Sequence, residues 1–221
     1  APMRQRTGLR IGLLGAESTG KTRLAGELAA HLRAAGMQAV AVPEALRAWC
    51  ERVGRAPRPE AQLAVAQAEE RQVGGGAAPG AACVIADTTA LMVLVYSGML
   101  FEDDPLYRFA IERQQGYDAT LVTGLDLPCQ PDGLQRNPSQ PREPVDALVR
   151  TLLQRAGVPF QVVYGSGTQR LRGALAALGS TGVLPAQAMA AGPPESQARA
   201  RGRQCQKGSG PAGGRRLFSP L

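Results

Sequence analysis

Residues 15–22 read GAESTGKT and fit G-x-x-x-x-G-K-[ST] from Gly15 to Thr22. The chemistry of such a loop is phosphate binding. Its glycines let the backbone wrap until several N–H groups converge on phosphate oxygens, and a helix N-terminus adds its dipole. Lys21 supplies a point charge to the β- and γ-phosphates, and the Thr22 hydroxyl can ligate Mg2+. Two carboxylates stand where this loop could use them. Asp87 closes the apolar run CVIAD, a position from which a carboxylate acts on Mg2+ directly or through water. Its other reading is a helix cap for the segment starting at Thr88, and both can hold. Glu44, in VPEALR, has Arg47 three residues on; the two could bind a substrate hydroxyl or act as base and anchor, or form a surface pair at a helix start.

Those residues need elements to position them. GLRIGLL before the loop reads as a strand, and Leu24, Leu28 and Leu32 at four-residue spacing read as the helix after it. MQAVAVPE is expected to be a second strand. Leu46, Trp49, Cys50 and Val53 then fall at i, i+3, i+4, i+7, an amphipathic helix closed by Gly54. A weaker helix is expected over about 60–73, followed by a flexible GGGAAPG connection at 74–80 and a buried strand AACVIAD. Residues 88–100 lean helical, and DDPLYRFAIERQQG opens a helix with an acidic cap and Pro105. The strand YDATLVT leads into GLDLPCQPDGLQRNPSQPREP, too rich in Pro and Gly for regular structure. The helix VDALVRTLLQRAG, the strand VPFQVVY, the loop GSGT at 165–168 and the helix QRLRGALAALG complete the body. GSGT is either an adenine-packing loop or an ordinary strand-to-helix turn. The alternation predicts an α/β fold with a five-stranded parallel sheet between two helical layers, ligands sitting beyond the carboxyl ends of the strands.

Charge and composition narrow the function. The net charge of +7 and pI near 9.8 suggest a nucleic-acid binder until the charges are located. Residues 181–221 hold a net +5, leaving +2 for residues 1–180. The expected organisation is a flexible N-terminus at 1–7, one nucleotide-binding domain at 8–180, and a disordered basic tail at 181–221. The tail lacks interleaved aromatics apart from Phe218, so nucleic acid is at most a weak partner of it. Cys50, Cys83, Cys129 and Cys205 form no CxxC, and His31 is the single histidine, which argues against zinc and a Ser/His/Asp triad. Cys50 and Cys83 read as small buried apolar positions. The longest apolar stretch has 13 residues against the roughly 20 of a membrane span, and no signal peptide is visible, so a cytoplasmic protein with no membrane partner is expected. Aromatic residues make up 4% of the chain; Tyr96, Tyr107, Tyr117 and Trp49 are the rings that could stack on a ligand, with core packing the alternative.

GAESTGKT, VPEALR, VAQAEE, IADTT, the YSG at 96–98, and YDATLV followed by PDGLQR together resemble the P-loop domain of the NadR family, over roughly residues 9–178. That family's kinase domain phosphorylates ribosylnicotinamide with ATP. The resemblance implies phosphate binding by Gly15, Ser18, Thr19, Gly20, Lys21 and Thr22 and a Mg2+ or base role for Asp87; with Glu17 counted in the nucleotide loop, the candidate metal ligands are Thr22 and Asp87 and the candidate catalytic residues Lys21, Glu44, Asp87 and Arg136. It also implies that the PDGLQR loop, with Arg136 and Arg142, forms a lid over the transferred phosphate. Cys129 stands where family members commonly carry a tryptophan in Pro-Trp-Val-Ala-Asp-Gly, a change that touches nicotinamide recognition.

Two functions follow. One is a small-molecule kinase moving the ATP γ-phosphoryl to a riboside-like hydroxyl, nicotinamide riboside or a relative. The alternative is an ATP-dependent switch with slow turnover, acting through a protein partner. A GTPase is disfavoured because no Asn-Lys-x-Asp segment occurs. A ring-forming AAA+ motor would need a separate helical lid domain after the fifth strand.

Overall fold

The computed structural model describes residues 8–75, 82–98, 100–102, 104–128 and 142–190. The elements are β1 (Leu9–Leu14), α1 (Lys21–Ala34), β2 (Ala39–Val42), α2 (Ala45–Val53), α3 (Pro59–Gly75), β3 (Cys83–Asp87), α4 (Ala90–Ser97), α5 (Pro105–Gln115), β4 (Ala119–Thr123), α6 (Arg142–Arg155), β5 (Gln161–Val163), α7 (Gly167–Ser180) and α8 (Ala186–Ala190). All five strands are parallel, in the order β2-β3-β1-β4-β5. This is the expected α/β architecture.

The two-residue period of the strands sends alternate side chains to opposite faces. Ile11 and Leu13 of β1, Ile85 of β3, Leu121 of β4 and Val163 of β5 pack with Leu24, Leu28 and Leu32 of α1 and with Leu171 and Leu178 of α7. Leu14 and Val122 belong to the other core, with α4, α5 and α6. A sheet buried on both faces is what a parallel arrangement requires. Register then sets the site: Leu13 lies beside Asp87 and Leu14 beside Val122, so the loop after β1 emerges between the ends of β3 and β4.

Several boundaries differ from the sequence expectation. β2 is shorter, ending before Pro43, which has no N–H to give a ladder. The helix after β3 starts at Ala90 because Thr89 is its N-cap, the hydroxyl accepting Leu91 N–H at 3.3 Å. α6 begins at Arg142, inside the stretch expected to be irregular. The apolar stripe of α2 is buried only at Leu46; Trp49 and Cys50 are half-buried at the edge of the core, Leu46 and Cys50 also border a cavity, and Val53 is exposed. Cys83 is fully buried as expected, whereas Cys50 is not.

Described structure also continues past residue 180, where the tail was expected to begin. Leu184 and Ala188 are buried with α1 and α7, and the Ala188 carbonyl lies 2.9 Å from His31 Nε2. A Cβ at Gly179 would meet Met189 Cε at 2.6 Å, so α8 docks where a bare glycine leaves room. Two apolar anchors are too few to register as a period. Residues 1–7 and 191–221 lie outside the described residues. Among the described residues no helix is long and apolar enough to cross a membrane.

Candidate functional site

The loop from Gly15 to Gly20 owes its shape to backbone conformations that few residues adopt. Gly15, Ser18 and Gly20 have φ of 144°, 53° and 79°. At Gly15 the requirement is also steric: a Cβ would lie 2.3 Å from Thr123 Oγ1. The loop is tied to β4 from within. Thr123 Oγ1 donates to Thr19 Oγ1 at 2.6 Å, and Thr19 Oγ1 donates to the Ala16 carbonyl at 2.7 Å. Thr19, expected to contact nucleotide, thus has its hydroxyl turned into the protein; the group it has left for a phosphate is its backbone N–H.

α1 starts with neither a capping side chain nor an acidic residue in its first turn. The starts of α4 and α5, by contrast, are capped by Thr89 and Asp104. A helix N-terminus left open at the end of a glycine-rich loop is suited to an anion. Lys21 is buried with its Nζ 2.9 Å from the carbonyls of both Gly15 and Ala16. Burial lowers its pKa, while Glu44, Asp87 and Glu17 work in the opposite direction. Thr22, on the same turn, is exposed.

Asp87, at the end of β3, is buried, and its Oδ1 has no hydrogen-bond partner among the described residues. The N–H of the next residue, Thr88, reaches the Leu13 carbonyl at 3.1 Å, locking Asp87 beside the loop. Thr88 adopts φ of 82°, an outlier for a β-branched residue. Strain of this kind costs on the order of 1–3 kcal/mol and collects at functional sites. Its hydroxyl is also buried without a partner among the described residues.

A cavity of about 390 Å3 opens beside the loop, lined by Glu17, Ser18, Lys21, Glu44, Arg47, Thr88 and Tyr96 among others. Glu44 precedes α2 as its N-cap residue, and its Oε2 lies 3.5 Å from an Arg47 nitrogen. Burial raises the Glu44 pKa, with Lys21 and then Arg47 opposing the rise. Of the four aromatic candidates, Tyr96 faces the cavity; Tyr107 packs on the core, Tyr117 donates its hydroxyl to Glu70 at 3.1 Å, and Trp49 carries Arg55 over its ring. The geometry therefore brings together the loop, Glu44 and the strand end bearing Asp87. Arg136 and Cys129 lie outside the described residues. Arg142 is described: one guanidinium nitrogen donates to the Leu127 carbonyl at 2.9 Å, and Nε and the other terminal nitrogen are buried without partners among the described residues.

Two supports of the site had no separate signal in the sequence. Glu69 of α3 is fully buried and accepts the N–H groups of Ala45 at 2.8 Å and Leu46 at 3.3 Å, so it caps the helix that presents Glu44. Arg170 of α7 is buried and donates to the Thr19 carbonyl, to the Gly165 carbonyl at 2.7 Å and to Asp126 Oδ1 at 2.6 Å. It thereby joins the phosphate loop to the GSGT loop. The doubled carboxylate in VAQAEE was the one visible trace of the first; Arg170 reads as an ordinary helix-surface arginine.

A parallel sheet whose central strand feeds a glycine-rich loop and an open helix N-terminus, with a buried carboxylate on the neighbouring strand end, defines a P-loop nucleotide-binding domain. The chain belongs to the AAA domain family, whose profile matches residues 10–170. Among solved structures, NadR protein in complex with NAD and AMP-PNP superposes with a TM-score of 0.61 at 19% identity, covering 81% of this chain and 51% of that one. NadR protein in complex with NR gives 0.60 at 19% identity, covering 81% and 53%. The chain spans about half the length of these NadR chains, and at this identity what the two share is the fold, a NadR-like P-loop domain. No curated protein matches the sequence.

Proposed function

We propose that the chain is a small-molecule kinase that transfers the γ-phosphoryl of ATP to a hydroxyl of a riboside-like acceptor, nicotinamide riboside or a relative. The observation carrying this reading is the cavity beside the loop, which puts Glu44 and Lys21 in the walls of one space of about 390 Å3. A pocket on the phosphate side of a P-loop is where a second substrate would meet the γ-phosphoryl. The two NadR structures, one with an ATP analogue and one with NR, support the same reading.

In this reading Glu44 accepts the acceptor's hydroxyl proton as its oxygen bonds to the γ-phosphorus and the bond to the β-γ bridging oxygen breaks, releasing ADP. A carboxyl whose pKa is raised by burial is a better base than an exposed one. Lys21 exchanges its bonds to Gly15 and Ala16 for phosphate oxygens, and Arg136, with Arg142 at the start of α6, covers the transferred group. Mg2+ fits the residues present: an exposed hydroxyl at Thr22 and an unpartnered Asp87 oxygen, with no cluster of three or more protein ligands among the described residues. Such a site suits an ion held mainly by phosphates and water. When bound, the ion would neutralise charge on the β- and γ-phosphates. The test is ADP release with ATP and Mg2+, alone and with a panel of ribosides, using Asp87→Asn as control. Stimulation of many-fold by one riboside, with a phosphorylated product lost in the variant, is expected. Tight ATP binding with slow turnover that no acceptor changes would overturn it and favour the switch.

A further inference from the structure

The cavity beside the loop is bounded on one side by α2 along its whole length. Glu44 stands at the start of that helix and Arg55 just past its end, with Gly54, Arg55, Ala56 and Pro57 all in the wall. At 1.5 Å per residue the eleven positions from Glu44 to Arg55 span about 16 Å, so Arg55 marks the end remote from Lys21. The charged groups on this wall are two arginines and one carboxylate. Arg47 and Arg55 line it, and Glu44, the carboxylate of the same wall, meets Arg47 through one of its terminal nitrogens only. The Nε of Arg47 is buried and has no acceptor among the described residues. Gln62, across the cavity on α3, is buried with its Oε1 lacking a donor among the described residues. Buried donors and acceptors are ordinarily paired, because an unmade bond leaves the desolvation of the group uncompensated. The orphans therefore describe the polar outline of an occupant: something that accepts from Arg47 and donates to Gln62.

Arg55 adds the sign. Its guanidinium carbon lies 5.8 Å from the centre of the Trp49 ring, and one of its nitrogens lies 3.5 Å from the Ala56 carbonyl. A cation held on an indole face is pre-positioned, and a planar guanidinium matches a planar anion. Resting on the kinase reading, we propose that the acceptor carries a carboxylate at the end remote from its reacting hydroxyl: an acidic riboside whose carboxylate is read by Arg55, with sugar hydroxyls accepting from Arg47 Nε and donating to Gln62. Arg55 is in this account a specificity-determining residue. It meets the far end of the acceptor and takes no part in the transfer.

Nicotinic acid riboside and nicotinamide riboside differ at that end only, which makes them the probes. Binding of each to the full chain is measured by calorimetry with a non-hydrolysable ATP analogue and Mg2+ present, and transfer is followed separately by product formation with ATP. The acid form is expected to bind at least ten-fold more tightly. Arg55→Ala should bring the acid-to-amide ratio close to one, and Arg55→Lys should retain part of it. Added salt should weaken the acid form more than the amide form. Equal or tighter binding of the amide, or a ratio that Arg55→Ala leaves intact, overturns the inference. The two readings fail separately: transfer without acid preference sinks the inference alone, acid-selective binding without transfer sinks the kinase reading, and binding of neither riboside sinks both.

Discussion

Glu69 accepts the backbone N–H of Ala45 at 2.8 Å, so a carboxyl fully buried on one helix caps the preceding helix directly after Glu44. Its partner in sequence, Glu70, does the equivalent for α4, receiving the Tyr117 hydroxyl at 3.1 Å and facing Ala90 N–H at 3.5 Å. Adjacent residues of α3 thus hold the two chain segments that carry Glu44 and follow Asp87. Burial pushes the Glu69 pKa up to about 9, although the two N–H bonds pull the other way. The carboxyl is therefore protonated at neutral pH, and the unpartnered Oε1 is the oxygen available to carry the proton.

The linkage has a definite sign. A carboxyl with a raised folded-state pKa binds its proton more tightly in the folded chain, so the stabilisation is complete below about 4.5 and is lost as pH rises towards 9. Glu44 and Glu70 are shifted the same way and add to the trend. Glu69→Gln keeps an acceptor for the N–H groups and has no proton to lose. Its stability between pH 5 and 8, from urea unfolding, should fall less steeply than the parent's by up to about 1.4 kcal/mol per pH unit. Parallel curves would mean that Glu69 is ionised in the folded protein.

Lys21→Ala removes the ammonium that bonds to Gly15 and Ala16. ATP binding should weaken by roughly a hundred-fold or more, as expected when a charged group is lost from a phosphate site. The rise in Tm on adding ATP should disappear with it. An undiminished ATP-dependent rise would separate nucleotide binding from this loop.

Arg170→Ala leaves the Thr19 and Gly165 carbonyls and Asp126 without their shared donor. The expected cost is about 2–3 kcal/mol, below the range for a fully buried pair because Asp126 is partly open to water. Lysine cannot reproduce three divergent bonds, so Arg170→Lys should recover less than half of the loss. Urea unfolding reads the stability, and calorimetry should show weaker ATP binding in both variants, since the phosphate loop loses its tether.

Thr88→Gly relieves a φ of 82°. A threonine-to-glycine change elsewhere lowers stability through chain entropy; here Tm should hold or rise, because the glycine adopts that conformation without strain. Transfer to the acceptor should drop all the same, since Thr88 belongs to the cavity wall and the change removes its side chain. A fall in Tm of several degrees would show that the strained conformation is supported by contacts of the side chain.

Much of this protein was legible in one dimension. The loop GAESTGKT, the strands as alternating or continuous apolar runs, and the helices as leucines at 24, 28 and 32 are local patterns, and local sterics and periodicity are what a linear sequence records. Asp87 and Glu44 were visible for the same reason, each standing at the end of a readable strand. The sequence did not reveal that Leu46 and Cys50 of α2 border a cavity, that Thr19 faces inward, that α8 docks beside Gly179, or that Glu69 and Arg170 brace the loops carrying the site. Arg170 reaches Thr19 across 151 positions and Glu69 reaches Ala45 across 24. Such pairs exist only once strand order and register have closed the sheet, because a buried donor finds its acceptor through tertiary geometry and leaves no periodic trace in either partner's neighbourhood.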